Sequence, residues 1–573
     1  MRNPMQGKMR GVRFRPKALN LFRNADRQQL SQDVMAGIIV GIVALPLAIA
    51  FAIASGVSPE IGIFTAIIGG FIVSALGGSS VQIGGPTGAF IIIVYGIIQK
   101  FGLDGLIVAT LLAGGLLVLM GSLKLGTLIR FVPYPIVVGF TAGIALTIFS
   151  TQMNDLFGLG LTGIPASFIP KWGVYFNAVG NVQWLPFLFG IGSILIIAFS
   201  GRIIKKIPGS LLAIVALTLV AYLLKRFANV ETLECIGDRY QINSSIPKPM
   251  VPKMSLAMVQ ELFPSAFTIA LLGAIESLLS ASVADGIIGE KHDSNTELIA
   301  QGVANVVVPF FGGIPVTGAI ARTMTNINNG GRTPLSGIIH AVVLLLFLLF
   351  LGPLLDYIPM AVLAGVLIVV SYNMSGWRSI VSVAKGPRGD FIIMLVTFLL
   401  TVIIDLTVAI ELGMLISMVI FMKRMAESTR ITVAKDILSP DAEGTPVHLQ
   451  NESLQIPKGV EVFEIEGPYF FGIANRFEEI MRNLGDNPKV RILRLRQVPF
   501  MDSTAVNNLH MLHNGLKKNS ITLVLSGVKS AVLDTLKATG LMELIGPENV
   551  KPNIHEAIAR AEELMGKKED QVK

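Results

Sequence analysis

Arg322 is the residue with the most chemistry to offer. It sits in Ile314–Thr323, which reads IPVTGAIART, in an apolar part of the chain. An arginine inside a membrane costs roughly 3 kcal/mol or more and is retained for a function. Its planar fork of donors fits the oxygens of carboxylate, sulfate or bicarbonate. A second stretch, Gly84–Phe90, reads GGPTGAF. Both stretches contain Thr-Gly-Ala, at Thr87–Ala89 and Thr317–Ala319, and both follow a Gly-Gly pair and a proline. The interval from Pro46 to Thr87 equals that from Glu276 to Thr317. One unit is used twice, with the chemistry divided unevenly between the copies. Paired Gly/Pro interruptions in two hydrophobic halves mark a ligand site near the bilayer midplane.

A helix that begins inside a membrane leaves its first N–H groups unpaired, which is tolerated only against protein, water or a ligand. Those groups carry the positive end of the helix dipole, about half a charge. Two half-helices starting at Thr87–Ala89 and Ala319–Arg322 would aim these ends at each other and make an anion site. Pro86 and Pro315 suit short extended segments ahead of the helices. For either motif alone, close packing of helices through glycine is the simpler reading. Their recurrence in register favours a site.

Glu276 follows apolar and small residues in PSAFTIALLGAIESLLSASVAD. A carboxylate so placed takes a proton or a partner. Either state suits proton coupling: the group carries H⁺ with an anion, or it neutralises Arg322 when the site is empty. Ser280 lies one helical turn on, on the same face. The plainer reading is a structural Glu276–Arg322 ion pair, and the two are compatible. Asp285 reads as a helix-end charge, Asp405 and Glu411 as interfacial charges, and Phe51 as packing. The histidines show no ligand spacing, and neither a catalytic triad nor a phosphate-binding loop appears. An ATP-driven pump or an enzyme is disfavoured, and no cofactor or metal is expected.

The composition places these residues in a membrane. The chain has 573 residues, 52% hydrophobic and 15% charged, with mean hydropathy +0.66. Soluble domains carry about 25% charged residues. The net charge of +8 resides in loops and tails, which reads as membrane topology rather than nucleic-acid binding. A single cysteine, Cys235, excludes an intrachain disulfide. No early apolar core with a cleavage site follows the basic N-terminus, so no cleavable signal peptide is expected. Residues 1–30 read as a cytoplasmic tail. Its end, Ala18–Leu30, is either a short amphipathic surface helix or a solvated basic segment.

Roughly fourteen apolar segments follow, some too short to span as straight helices of about 20 residues. The first seven lie near 33–55, 58–77, 85–100, 103–122, 128–152, 184–201 and 207–227; the second seven lie near 262–284, 295–311, 317–329, 334–352, 357–371, 390–405 and 406–423. With the N-terminus inside, the even-to-odd connections should be cytoplasmic. They carry Lys124 and Arg130, then Arg202, Lys205 and Lys206, then Arg332, then Arg378, Lys385 and Arg388. In the long loop near 228–260 acids offset bases, as expected outside. An even count with both termini cytoplasmic fits, and twelve segments would fit as well as fourteen. Seven plus seven inverts the second half, so the two Thr-Gly-Ala stretches enter from opposite sides and meet in the middle.

After about Ile431 the composition turns soluble. Val460–Ile465, Val490–Leu495 and Ile521–Leu525 read as strands. Phe471–Leu484, Thr504–Lys518, Ala531–Thr539 and Ile554–Glu563 have helical periodicity. The alternation predicts a mixed sheet with helices packed on it. Asp502 or Ser503 is placed to cap a helix, and an exposed serine there could also take phosphate. The expected division is a tail at 1–30, a transmembrane domain at 31–424, a linker at 425–456, an α/β domain at 457–567 and a charged tail at 568–573.

From about residue 30 to its end the chain resembles the sulfate permease family, also called solute carrier 26. The resemblance rests on LPLAIAFAIASG (45–56), GGPTGAF (84–90), GAIESLLSASVAD (273–285), GGIPVTGAIARTMTNINNGG (312–331) and the ELG at 411–413. The tail resembles the STAS domain, shared with anti-sigma-factor antagonists, through its order of elements and MDSTAV (501–506). The resemblance implies a polytopic α-helical membrane protein of fourteen segments in seven-plus-seven inverted repeats, with a soluble α/β domain. It implies a homodimer in which a core (segments 1–4 and 8–11) moves against a gate (5–7 and 12–14). Anions would bind between the third and tenth segments, at Phe51, Thr87, Gly88, Ala89, Gly318, Ala319, Ala321 and Arg322. Glu276 matches the eighth-segment acid of the family. Sodium-coupled bicarbonate members carry Asp at that position and Thr where this chain has Ser280 and Ile320, so Glu276 with Arg322 is closer to the proton-linked sulfate type. Ser503 matches the serine phosphorylated in the antagonists and is the expected regulatory residue.

The implied activity is secondary active, H⁺-coupled uptake of sulfate or a related oxyanion or dicarboxylate by alternating access, with a regulatory or assembly STAS domain. The alternatives are a bicarbonate or dicarboxylate transporter, sodium-coupled or exchanging, and an uncoupled anion channel. The implied partners are a small anion, a proton, membrane lipids, a second copy of the chain and a cytoplasmic protein at the STAS domain, with no nucleic acid. The expected location is a cell membrane of the bacterial inner type, multi-pass.

Overall fold

Long apolar runs with glycine at their contacts build helices that approach backbone to backbone. The computed structural model describes residues 14–20, 26–127, 132–203, 208–228, 232–240, 249, 254–404, 406–434, 437–438, 454–473 and 488–570. The chain divides into two units, Met1–Ile416 and Ser417–Lys573.

In the first unit α1 (Arg27–Ala54) and α2 (Pro59–Leu76) lead to a two-residue strand, β1 (Gly84–Gly85), and a 3-10 turn at Gly88–Phe90. Then come α3 (Ile91–Ser122), α4 (Tyr134–Thr151), α5 (Met153–Phe157), α6 (Phe168–Asn177), α7 (Trp184–Ile203), α8 (Gly209–Ala228) and α9 (Ile236–Arg239). The second half runs through α10 (Leu256–Ile288), α11 (Ser294–Val307), β2 (Thr317–Gly318), α12 (Ile320–Asn328), α13 (Leu335–Leu355), α14 (Met360–Met374), α15 (Trp377–Ala384) and α16 (Arg388–Ile403). The last helix, α17, spans Leu406–Ser428.

Each expected apolar segment contains helix in its described part, and those near 85–100 and 317–329 open on the strands β1 and β2. Gly102, at φ 65 and ψ −165, breaks α3 into the two segments read from the sequence; a residue with a Cβ rarely adopts that backbone. Among the described residues, nine helices are long and apolar enough to cross a membrane by length and composition. Two groups of helices pack within this unit. One joins α1–α3 to α10–α13, and the other joins α4, α7 and α8 to α14, α15 and α16. In the first group α3 and α11 touch through glycine: a Cβ on Gly302 would stand 2.8 Å from the carbonyl oxygen of Gly114. Small residues at such contacts are how helices associate where lipid is as apolar as they are. Of Ala18–Leu30, read as either a surface helix or a solvated segment, the described part holds a 3-10 turn at Lys17–Asn20 and the start of α1 at Arg27; residues 21–25 lie outside the described residues.

The second unit holds a five-stranded sheet in the order β3-β6-β7-β8-β9. Its strands are β3 (Arg430–Ala434), β6 (Val460–Glu466), β7 (Val490–Gln497), β8 (Thr522–Ser526) and β9 (Val550–Lys551). β3 runs antiparallel to β6 and the other pairs are parallel. Both faces are covered. α18 (Ser503–Lys518), α19 (Ser530–Ala538) and α20 (Leu541–Ile545) close one core, and α21 (Ile554–Asp570) closes the other. The segment 431–456, read as an irregular linker, supplies the edge strand β3 and a small pair, β4 (Ile437–Leu438) with β5 (Leu454–Gln455). β3 reads RITVA, a polar/apolar alternation only five residues long at the end of α17, which is easily passed over as lead-in. Most of the helix expected over Phe471–Leu484 lies outside the described residues.

Candidate functional site

The two Thr-Gly-Ala stretches meet. β1 and β2 pair antiparallel, with Gly84 opposite Gly318 and Gly85 opposite Thr317. Extended backbone at membrane depth needs a partner for each polar group, and α10 supplies them on one side. The Gly318 N–H donates to Ser277 Oγ (3.0 Å) and Thr317 Oγ1 donates to the Gly273 carbonyl (3.0 Å). Ser277 Oγ and Thr317 Oγ1 lie 2.7 Å apart. With both other bonds fixed, Ser277 donates to Thr317. Asn305 of α11 holds Val316 at both ends, accepting from its N–H and donating to its carbonyl, each at 2.8 Å. The Ala319 N–H donates to the Ile83 carbonyl (2.9 Å), and the Ile83 N–H donates to Thr323 Oγ1 (3.1 Å).

Two helix N-termini leave this crossing. The first intrahelical bond of α12 runs from the Thr323 N–H to the Ala319 carbonyl, so among the described residues the N–H groups of Ile320, Ala321 and Arg322 meet no backbone acceptor. Thr87 caps the other helix in an extended conformation (φ −130, ψ 159) and Phe90 returns its N–H to the Thr87 carbonyl. A Cβ on Gly88 would stand 2.9 Å from Met374 Sδ and 3.4 Å from Ile148 Cδ1. This N-terminus therefore faces α14 and α4, across from its own helix group.

Arg322 is buried, at 2% exposure. Its Nη2 donates to the Pro86 carbonyl, and among the described residues its Nη1 has no hydrogen-bond partner. A Cβ on Gly85 would stand 2.1 Å from Nη1, so only glycine lets the guanidinium lie there. An arginine of the second repeat thus braces the extended stretch of the first.

Glu276 accepts from Thr87 Oγ1 at 3.0 Å. Among the described residues it has no ion pair with Arg322, so of the two readings left open for Glu276 the pairing with Arg322 is not the arrangement seen here. The backbone carbonyl of Pro86 reaches the guanidinium first. Ser280 donates to Thr323 Oγ1 at 3.3 Å. Neighbouring residues of α10 therefore serve different repeats: Glu276 holds Thr87 of the first, while Ser277 and Ser280 hold the second.

The remaining predicted residues fall as follows. Gly318 and Ala319 are buried at the crossing, Ala89 is buried in the 3-10 turn, and Ala321 is exposed. Gly318 is packed against the Gln82 amide, which a Cβ would overlap at 1.7 Å. Phe51 is buried near the C-terminal end of α1. Ser503 belongs to the second unit, exposed in the first turn of α18. There Asp502, not Ser503, is the cap: its carboxylate accepts from the Ala505 N–H (2.8 Å) and the Phe471 N–H (3.0 Å).

Sequence reasoning placed Thr317 in the repeated motif without a role for its side chain, and missed Ser277, Thr323 and Asn305, which with it order the crossing. It also missed two buried acids that fix the adjoining loops. Asp33 accepts from the Arg332 and Thr333 N–H groups and from Thr333 Oγ1 (2.7 to 3.1 Å). Glu297 accepts from the Gly78 and Ser79 N–H groups (2.8 and 3.1 Å). The signal was a polar side chain within an apolar helix, which is costly without a partner.

A model described as the sulfate permease family matches residues 30–397, and one for the STAS domain matches residues 452–557. The putative sulfate transporter YvdB of Bacillus subtilis is 40% identical, over 92% of this chain and 97% of its own. The bicarbonate transporter BicA of a Picosynechococcus species is 31% identical, over 82% and 84%. The solved transmembrane domain of a cyanobacterial BicA superposes with a TM-score of 0.60 at 30% identity, over 68% of this chain and 98% of that one. Murine Solute Carrier 26 family member A9, in an inward-facing state, shares the fold with a TM-score of 0.83 at 18% identity, over 96% and 94%.

Proposed function

Because the chain belongs to the sulfate permease family, an anion-transporting family with a STAS domain, we propose that it carries sulfate or a related oxyanion or dicarboxylate together with a proton. The anion sits between the N-termini at Thr87–Ala89 and Ala319–Arg322. The observation that carries this reading is the Glu276–Thr87 hydrogen bond. It puts a carboxylate at the same helix end that would hold the anion. Two negative charges a few ångströms apart in a low-dielectric site repel strongly. A proton on Glu276 removes that repulsion, so anion and proton enter together and leave together. Arg322 adds a fixed positive charge from the second repeat. The two helix groups then move against each other and expose the site alternately to either side.

Ser280 bonds to Thr323, which argues against its serving as a sodium ligand. Bicarbonate is the second reading, favoured by the BicA relatives. An uncoupled channel is the third. The protein is read as an inner-membrane homodimer with both termini cytoplasmic. Its STAS domain offers Ser503 to a regulatory phosphate or a partner protein.

The test is uptake of labelled sulfate into proteoliposomes with and without an inward proton gradient, for the parent and Glu276→Gln. Gradient-driven accumulation in the parent and its loss in the variant support the coupling. Sulfate uptake indifferent to both rejects Glu276 as the proton carrier. No sulfate flux, with bicarbonate or fumarate carried instead, replaces the substrate. Flux that follows voltage without accumulation favours the channel.

A further inference from the structure

Residues 153–182 form a lobe between α4 and α7. Leu156, Leu159, Tyr175 and Ala178 pack there with Ala364 of α14, joined by Ile164 and Trp172. The lobe therefore belongs to the helix group of α4 and α14. Tyr95 belongs to the other group. It lies in the first half of α3, about 9 Å along the helix from Ala89 at 1.5 Å per residue.

Tyr95 reaches across. Its hydroxyl donates to the Ile164 carbonyl at 2.9 Å. Its ring lies over Gly56, where a Cβ would stand 3.1 Å from Cδ2. The Nζ of Lys171, on α6, lies 5.8 Å from the ring centroid. Lys171 is 2% exposed. Among the described residues no carboxylate or carbonyl meets its ammonium, so the ring face is its partner. A cation is attracted to a ring face, and more strongly when both are desolvated. These contacts fasten the half-helix that carries Thr87–Ala89 to the lobe.

We propose that Tyr95 and Lys171 are gate residues that hold the anion path shut on the lobe side. This rests on the reading of the protein as an alternating-access transporter. Any motion that opens the crossing toward the lobe must part α3 from Ile164 and strip the ring from Lys171. The gate is also sensitive to charge. Burial pushes the Lys171 amine down to about 8. Of its titratable neighbours, Tyr175 is pushed up by burial and by Asp155. Asp155 is paired with Arg239 at 3.0 Å, and Tyr95 donates to Ile164. Below pH 8 the ammonium is charged and the ring contact is present; above it the contact is lost.

The experiment uses the full chain in proteoliposomes on a Cys235→Ala background, with Ala89→Cys as the reporter. A membrane-impermeant thiol reagent is added to one side at a time, and sidedness is set by protection of a C-terminal tag. Tyr95→Phe keeps the ring and removes the donor; Lys171→Met keeps the bulk and removes the charge. Each should raise labelling from the lobe side about fivefold, the effect of one ordinary hydrogen bond, and lower it from the other side. Raising the lobe-side pH from 7 to 9 should raise labelling in the parent relative to Lys171→Met. Lobe-side labelling unchanged in both variants overturns the gate. So does labelling that rises from both sides with a lower melting temperature, which is loosening of the fold. A parent that moves none of the tested anions yet shows the sided shift supports the gate and counts against the transport reading alone.

Discussion

Arg322 and Glu276 lie at one crossing but answer to different partners. Arg322 is held by the Pro86 carbonyl and Glu276 by Thr87. Their roles should therefore separate. Arg322→Met removes charge from the site and leaves the Pro86 carbonyl buried without its donor. Losing a charged hydrogen bond of about 1.5–3 kcal/mol predicts a KM for the anion raised about 10- to 100-fold. Arg322→Lys should recover part of the charge but not the fork, so its KM should fall between the two. Glu276→Gln should instead leave anion binding in place and remove the dependence on the proton gradient. Isothermal titration for binding and vesicle uptake for coupling would tell the two classes apart. Equal loss of binding in both would mean that Glu276 also contacts the anion.

At the scale of the element, α10 is the pillar of the crossing. Its Ser277 sits in a directed chain from the Gly318 N–H through Ser277 and Thr317 to the Gly273 carbonyl. Ser277 is fully buried. Ser277→Ala strands the Gly318 N–H, a buried donor, and a stranded buried group costs about 1–3 kcal/mol. The melting temperature in detergent should fall accordingly. Apparent anion affinity should fall with it, because β2 sets the start of α12. Ser277→Thr keeps the hydroxyl, and a melting temperature near that of the parent would place the effect in the hydrogen bond. Loss of stability equal to that of the alanine variant would place it in packing.

At the scale of the molecule, the second unit carries its own core on both faces of its sheet. It also carries buried ion pairs across β6 and β7. Arg491 Nε meets Glu461 Oε2 at 3.1 Å with both side chains under a tenth exposed, and Arg494 Nη1 meets Glu464 Oε2 at 3.0 Å. Breaking a buried pair from one side leaves a charge without its partner, at about 3–5 kcal/mol. Residues 425–573 expressed alone should unfold cooperatively in urea. Glu461→Ala should lower that stability by about this much, whereas Ser503→Ala, an exposed change next to a cap made by Asp502, should leave it nearly unchanged. A domain that is unfolded alone would tie its stability to the membrane unit.

The sequence by itself determined the class and the plan. Apolar run length marked the helices, because a membrane dictates both their number of residues and their lack of charge. The repeated Thr-Gly-Ala with its glycines and prolines marked the crossing, because broken helices in a bilayer are tolerated only around a site. Arg322 and Glu276 stood out for the same reason, as charges where charges are costly. Which groups each one meets was decided only by the tertiary structure. Hydrogen bonds at the crossing join residues as far as 240 positions apart, and include Thr87 with Glu276 and Arg322 with Pro86. No local periodicity carries that information. It follows from the antiparallel register of β1 on β2, which gives Glu276 and Arg322 separate partners and accompanies the bond of Ser280 to Thr323. The outer contact of Tyr95 with Ile164 and Lys171 belongs to the same kind. A tyrosine in an apolar helix and a lysine between two apolar segments are ordinary in sequence, and only the packing of one helix group on the other brings them together.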